Sequence, residues 1–141
     1  MSIGLTARLG AAVLAVVSAT AFGPRTSLAA ETPLERGTYL MTSIVACGNC
    51  HTPKGPNGKA IAGKELSGGD PIVSPVFRAV PGNITEDKAT GIGNWTDEQI
   101  ATAITTGKRP DGRQLAPLSY MTKEDVAAIV AFLRSIPPVK K

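Results

Sequence analysis

The residues Cys47, Gly48, Asn49, Cys50 and His51 spell C-x-x-C-H, the signature of covalent haem attachment. The spacing follows from the chemistry. Two thiols three positions apart, held near one helical turn, can each add to one vinyl group of a single porphyrin. His51 is then placed on one face of that ring, where an imidazole nitrogen can bind the iron axially. The sequence holds no other Cys and no other His, so these three residues are the candidates for thioether and proximal-ligand chemistry.

Other uses of the motif fit less well. A disulfide between Cys47 and Cys50 suits an oxidising compartment but leaves His51 without a role. A thioredoxin-like C-x-x-C expects a βαβ context, whereas the flanks here read as helix before the motif and turns after it. A zinc site wants about four ligands in tetrahedral array. Cys47, Cys50 and His51 supply three, two of them adjacent in the chain.

The N-terminus reads as an export signal. Arg8 provides a positive start, and the apolar stretch Leu9 to Phe22 is shorter than the roughly 20 residues of a membrane span. Small residues near Ala29 and Ala30 offer a cleavage site. The expected division is a signal over residues 1–30 and one domain over 31–141, exported to the periplasm, with no stable membrane span once the signal is removed. Without Arg8 and Arg25 the formal charge falls from +4 to +2. That mild balance, with no basic stripe interleaved by aromatics, argues against nucleic acid as a partner. Only five aromatic residues follow Phe22, so the chain alone builds a modest core, which a buried porphyrin would enlarge.

Three helices have physical start signals. Thr32-Pro33-Leu34-Glu35 is a capping box with Pro at the first helical position. Gly37, Leu40, Met41 and Ile44 follow the helical stripe, and this helix is expected to run into the Cys47 motif. Thr96 to Gln99 is a second capping box, for a helix ending near Gly107. Thr122 caps a third, with Val126, Ile129, Val130 and Leu133 on its buried face, Phe132 alongside, and Pro137-Pro138 as the stop. Gly37 would let this last helix cross the first closely. Between Thr52 and Asn94 lie 43 residues with eight Gly and five Pro. So long a loop is unusual in a compact domain, unless it wraps a rigid group that serves as its core.

Helix, C-x-x-C-H, Gly/Pro-rich wrap, short helix and amphipathic last helix together resemble the class I c-type cytochrome domain, over about residues 31 to 138. The stretches Cys47 to Pro53, Pro81 to Thr85, Thr90 to Trp95 and Ala127 to Pro138 look like single-haem domains of cytochrome subunits serving periplasmic alcohol and aldehyde dehydrogenases. The resemblance implies an all-α fold of three main helices wrapped around one covalent haem c. It implies thioethers at Cys47 and Cys50, proximal iron ligation by His51, and Trp95 near a propionate; a core role covering the short helix is the alternative for Trp95. It also implies that a proline carbonyl, from Pro53 or Pro56, orients the imidazole.

One departure concerns the distal ligand. The family usually carries its Met on an extended loop well before the last helix, and the loop from Gln114 to Met121 is short. Met1 leaves with the signal and Met41 lies on the first helix's packing stripe. Met121 is therefore the expected distal iron ligand; the rival reading makes it a hydrophobic staple against Val126.

The function expected is single-electron transfer rather than catalysis, from a dehydrogenase partner to a respiratory acceptor. The alternative is a haem sensor or ligand-binding protein with an open sixth iron position. Lys54, Lys59, Lys64, Lys108, Arg109 and Arg113 would steer an acidic partner if they rim an exposed haem edge.

Overall fold

The computed structural model describes residues 30–141, so the expected export signal lies, but for its last residue, outside the described residues. Helix α1 (Pro33–Tyr39) starts as expected. The Thr32 hydroxyl accepts from the Glu35 N–H and the Glu35 carboxylate accepts from the Thr32 N–H. It does not run straight into the motif. Its last turn widens into a π-helix (Leu40–Ile44), closed by a Val45 N–H to Leu40 carbonyl bond of 2.8 Å. One extra residue per turn shifts the phase of the stripe. Leu40 and Met41 stay buried, while Ile44, expected inside, is 60% exposed. Ala46 then takes a left-handed φ of 50°, which breaks the helix before the short α2 (Gly48–His51).

Helix α3 (Asp97–Thr106) has its capping box at Thr96 and Gln99 and stops at Gly107, whose φ of 74° is left-handed. Helix α4 (Lys123–Ser135) is capped by Thr122, which accepts from the Asp125 N–H. The Asp125 carboxylate reaches across to Arg36 at 2.8 Å, tying the start of α4 to α1. Val126, Ile129, Val130 and Leu133 are buried as expected. Gly37 does sit where α1 crosses α4: a Cβ there would meet the Ala128 carbonyl oxygen and approach the Phe132 Cβ to 3.0 Å. Bare backbone at Gly37 is what lets the helices close.

The fold is mostly helical but not purely so. In the long connection, β1 (Ile72–Val73) pairs antiparallel with β2 (Arg78–Ala79), Ile72 opposite Ala79. The Ser74 hydroxyl accepts from the N–H groups of Val76 and Phe77 and so forms the turn. Pattern reading has little purchase on strands of two residues. Their apolar side chains are also outside, Ile72 at 41% and Val73 at 67% exposed, as are Val76 and Phe77 of the turn. The core joins Leu40 and Met41 to Leu66 and Ile92 of the connection, Ile100 of α3, and the inner face of α4. Among the described residues no helix is long and apolar enough to cross a membrane.

Candidate haem site

Local hydrogen bonding sets the motif on one helix face. Cys47 is the cap of α2, and its carbonyl accepts from the His51 N–H at 2.9 Å. Cys47, Cys50 and His51 thus stand at i, i+3 and i+4, neighbours on a helical surface. The connection then closes over the helix. The Thr52 hydroxyl accepts from the Leu66 N–H, and the Gly68 N–H donates to the His51 carbonyl at 2.8 Å. A Cβ at Gly69 would strike the Cys50 carbonyl, so this approach also depends on a glycine.

Cys47 and His51 line a cavity of about 360 Å³. Its walls are Val80 to Ile84 and Ile92 from the connection, Ile100 and Ile104 from α3, and Ile129 and Leu133 from α4, with Leu115, Ala116 and Leu118 from the loop between α3 and α4. Cys50 is exposed and is not among the lining residues. The two thiols are unbridged, and burial pushes the Cys47 thiol above the ordinary range. Among the described residues no three His, Cys, Asp or Glu side chains converge as a metal cluster. That leaves the zinc reading without a ligand set.

The imidazole is oriented, but not by Pro53 or Pro56. His51 Nδ1 lies 2.8 Å from the Gly82 carbonyl oxygen, which can only accept. Nδ1 therefore carries the proton, and Nε2 is the nitrogen with a free lone pair. Gly82 is fixed in turn by its neighbour Asn83. The Asn83 side chain donates to the Thr90 hydroxyl and the Val139 carbonyl and accepts from the N–H and hydroxyl of Thr85. Asn83 and Thr85 are buried. Sequence reasoning missed this support. The only signal for it was the run Pro81 to Thr85, which carries no periodicity and does not name its partners.

Trp95 does line the cavity. The Arg109 guanidinium stands over its ring at 5.1 Å, within cation–π range, and also lines the cavity. Arg134 of α4 donates to the Trp95 carbonyl at 2.6 Å and pairs with Glu86 and Asp97 at 2.8 Å, so the Trp95 backbone is held at the start of α3. Arg109 and Arg113 share the Asp111 carboxylate, which Arg113 foremost holds well below the usual carboxylate range. Asp111 thus offsets one of the three positive charges of Lys108, Arg109 and Arg113 within their own loop.

Met121 is not brought to the cavity. It lies in a separate groove between α3 and α4, lined also by Ala101, Thr105, Val126 and Val130. The short loop carries it past the cavity to the cap of α4, where sharing a groove with Val126 matches the staple position. Cys47 and His51 meet in the cavity with Trp95; Met121 does not join them.

An apolar chamber with a thiol and an oriented imidazole on one helix face fits a covalently held porphyrin. Sequence comparison points the same way: the family model for cytochrome c matches residues 34–137. The chain belongs to the cytochrome c family. Membership implies the class I fold and covalently bound haem c, a group suited to single-electron transfer. The chain is 35% identical over 115 residues to the fructose dehydrogenase cytochrome subunit of Gluconobacter japonicus, covering 72% of this chain and 22% of that protein. It is 30% identical over 119 residues to the cytochrome c subunit of a quinone alcohol dehydrogenase from Gluconacetobacter polyoxogenes, covering 75% and 25%. Against the gluconate 2-dehydrogenase cytochrome c subunit of Pantoea cypripedii it is 33% identical over 113 residues, covering 75% and 24%. The chain spans about a quarter of the length of these relatives.

Proposed function

We propose that this cytochrome is a periplasmic monohaem carrier that passes single electrons from a dehydrogenase to a respiratory acceptor. Residues 1–30 act as the export signal, cleaved near Ala29 or Ala30. One C-x-x-C-H in the sequence supports one haem, and relatives that are cytochrome subunits of dehydrogenases support such a donor.

In this reading Cys47 and Cys50 hold the group by thioethers and His51 Nε2 binds its iron. The haem supplies a reversible one-electron couple when bound. The chain's own residues do the rest. The Gly82 carbonyl fixes the tautomer of His51 and would strengthen its electron donation to the iron, which favours the oxidised state. The apolar walls exclude water, and their low polarity favours the state of lower charge. Trp95 and Arg109 offer an indole N–H and a cation to the propionates.

The observation that carries the proposal is the pairing of Cys47 with His51, its Nδ1 engaged, in an apolar cavity. Chain matured in cells that attach haem outside the cytoplasm should retain its colour through acid-acetone extraction. Cys47→Ala/Cys50→Ala should lose it. Release of the haem from the wild type by that extraction would sink the proposal.

A further inference from the structure

An iron bound by one imidazole must take its sixth ligand from another side chain or from outside the protein. His51 is the only histidine, and the described residues hold two thioethers, Met41 and Met121. Met121 lies in the α3–α4 groove, away from the cavity. The loop that precedes it is fastened in that register. The Leu115 N–H donates to the Gly107 carbonyl and the Leu118 N–H to the Ile104 carbonyl, both at 2.7 Å. The Gln114 side chain adds a bond to the Thr106 carbonyl at 2.7 Å. Moving Met121 inward would break these bonds and pull Thr122 from the cap of α4. What the loop presents to the cavity is Leu115, Ala116 and Leu118, none of which can bind a metal through its side chain. Met41 lines the cavity but is only 3% exposed and packs in the core with Leu40, Ile129 and Leu133.

We infer that the sixth iron position is open and takes a small neutral ligand of the carbon monoxide or nitric oxide class; this rests on the haem reading above. The ligand class follows from the wall. An anion entering beside Leu115, Ala116 and Leu118 would lose its hydration without a partner, whereas a neutral diatomic loses little. Arg109, the cation among the lining residues, is shared between Asp111, the Trp95 ring and, in the reading above, a propionate, so it is not left for an anion at the iron.

The experiment is a carbon monoxide titration of the dithionite-reduced full-length chain at neutral pH, read optically, after acid-acetone extraction has verified covalent haem. Wild type, Met121→Ala and Met41→Leu are compared, the last being a volume-conserving core change. All three should convert fully to the carbonyl spectrum with affinities that agree within about threefold, because removing a side chain that does not occupy the site leaves the competent fraction unchanged. A wild type that retains its haem but refuses carbon monoxide overturns the inference. So does a larger tightening in either Met variant, which would identify that sulfur as the sixth ligand. Haem lost to the extraction overturns the electron-carrier reading as well, and the two failures are told apart by that first step.

Discussion

At the scale of single residues, orientation of His51 depends on a carbonyl that is itself positioned. The Gly82 oxygen faces Nδ1 at 2.8 Å, and the next side chain, Asn83, makes four hydrogen bonds in a buried setting. Val139 closes the circle by donating its N–H to the Thr85 hydroxyl at 3.0 Å, so the tail after α4 is part of the same network. Asn83→Ala removes the acceptor for Thr85 and the donor for the Val139 carbonyl at once. A net loss of about 1 kcal/mol for each of the four bonds predicts a destabilisation of about 4 kcal/mol, with buried groups left unsatisfied adding to it. Thr90→Val, which removes one partner of Asn83 and an exposed bond to Asp87, should cost less, about 1–2 kcal/mol. Guanidinium unfolding of both variants checks the order; equal losses would mean that Asn83 is not the hub.

At the scale of elements, the α1–α4 crossing leaves no room for a side chain at Gly37. A methyl group at Gly37 would contribute up to about 1 kcal/mol of helix propensity. It would also overlap the Ala128 carbonyl, which is backbone and cannot rotate away. Overpacking of this kind costs about 1–3 kcal/mol, so Gly37→Ala should lower the denaturation midpoint. A variant as stable as the wild type would mean that the helices slide apart at no cost. This crossing was legible in the sequence because it rests on a bare position facing an apolar stripe. The caps at Thr32, Thr96 and Thr122 were legible for a similar reason, since each is closed by a residue three positions away. The π-helix was not. Leu40 to Ile44 carries an acceptable α-helical stripe, and only the backbone hydrogen bonding shows the extra residue. Nor could the partner of His51 be read, since Gly82 lies 31 residues on and folding alone joins them. Met121 shows the same limit: composition named it as an available sulfur, while loop hydrogen bonds decided where it went.

At the scale of the whole molecule, the core is built around a volume that the chain does not fill by itself. Ile129 and Leu133 of α4, Ile100 of α3 and Ile92 of the connection all belong to the core and also line the cavity. Without the prosthetic group these apolar walls face a cavity of about 360 Å³ instead of a partner, and burial against one stabilises by about 25 cal/mol per Å² of apolar surface covered. Local structure should survive better than packing, because the caps of α1, α3 and α4 need nothing from the cavity. Chain that carries Cys47→Ala/Cys50→Ala and has no haem should therefore keep much of its far-ultraviolet helical signal. It should lose its near-ultraviolet signal and bind a hydrophobic dye, the marks of a compact state without fixed packing. Calorimetry decides the matter. If the haem-free variant melts cooperatively within a few degrees of the haem-loaded wild type, the helices pack adequately on their own and the prosthetic group is not part of the core.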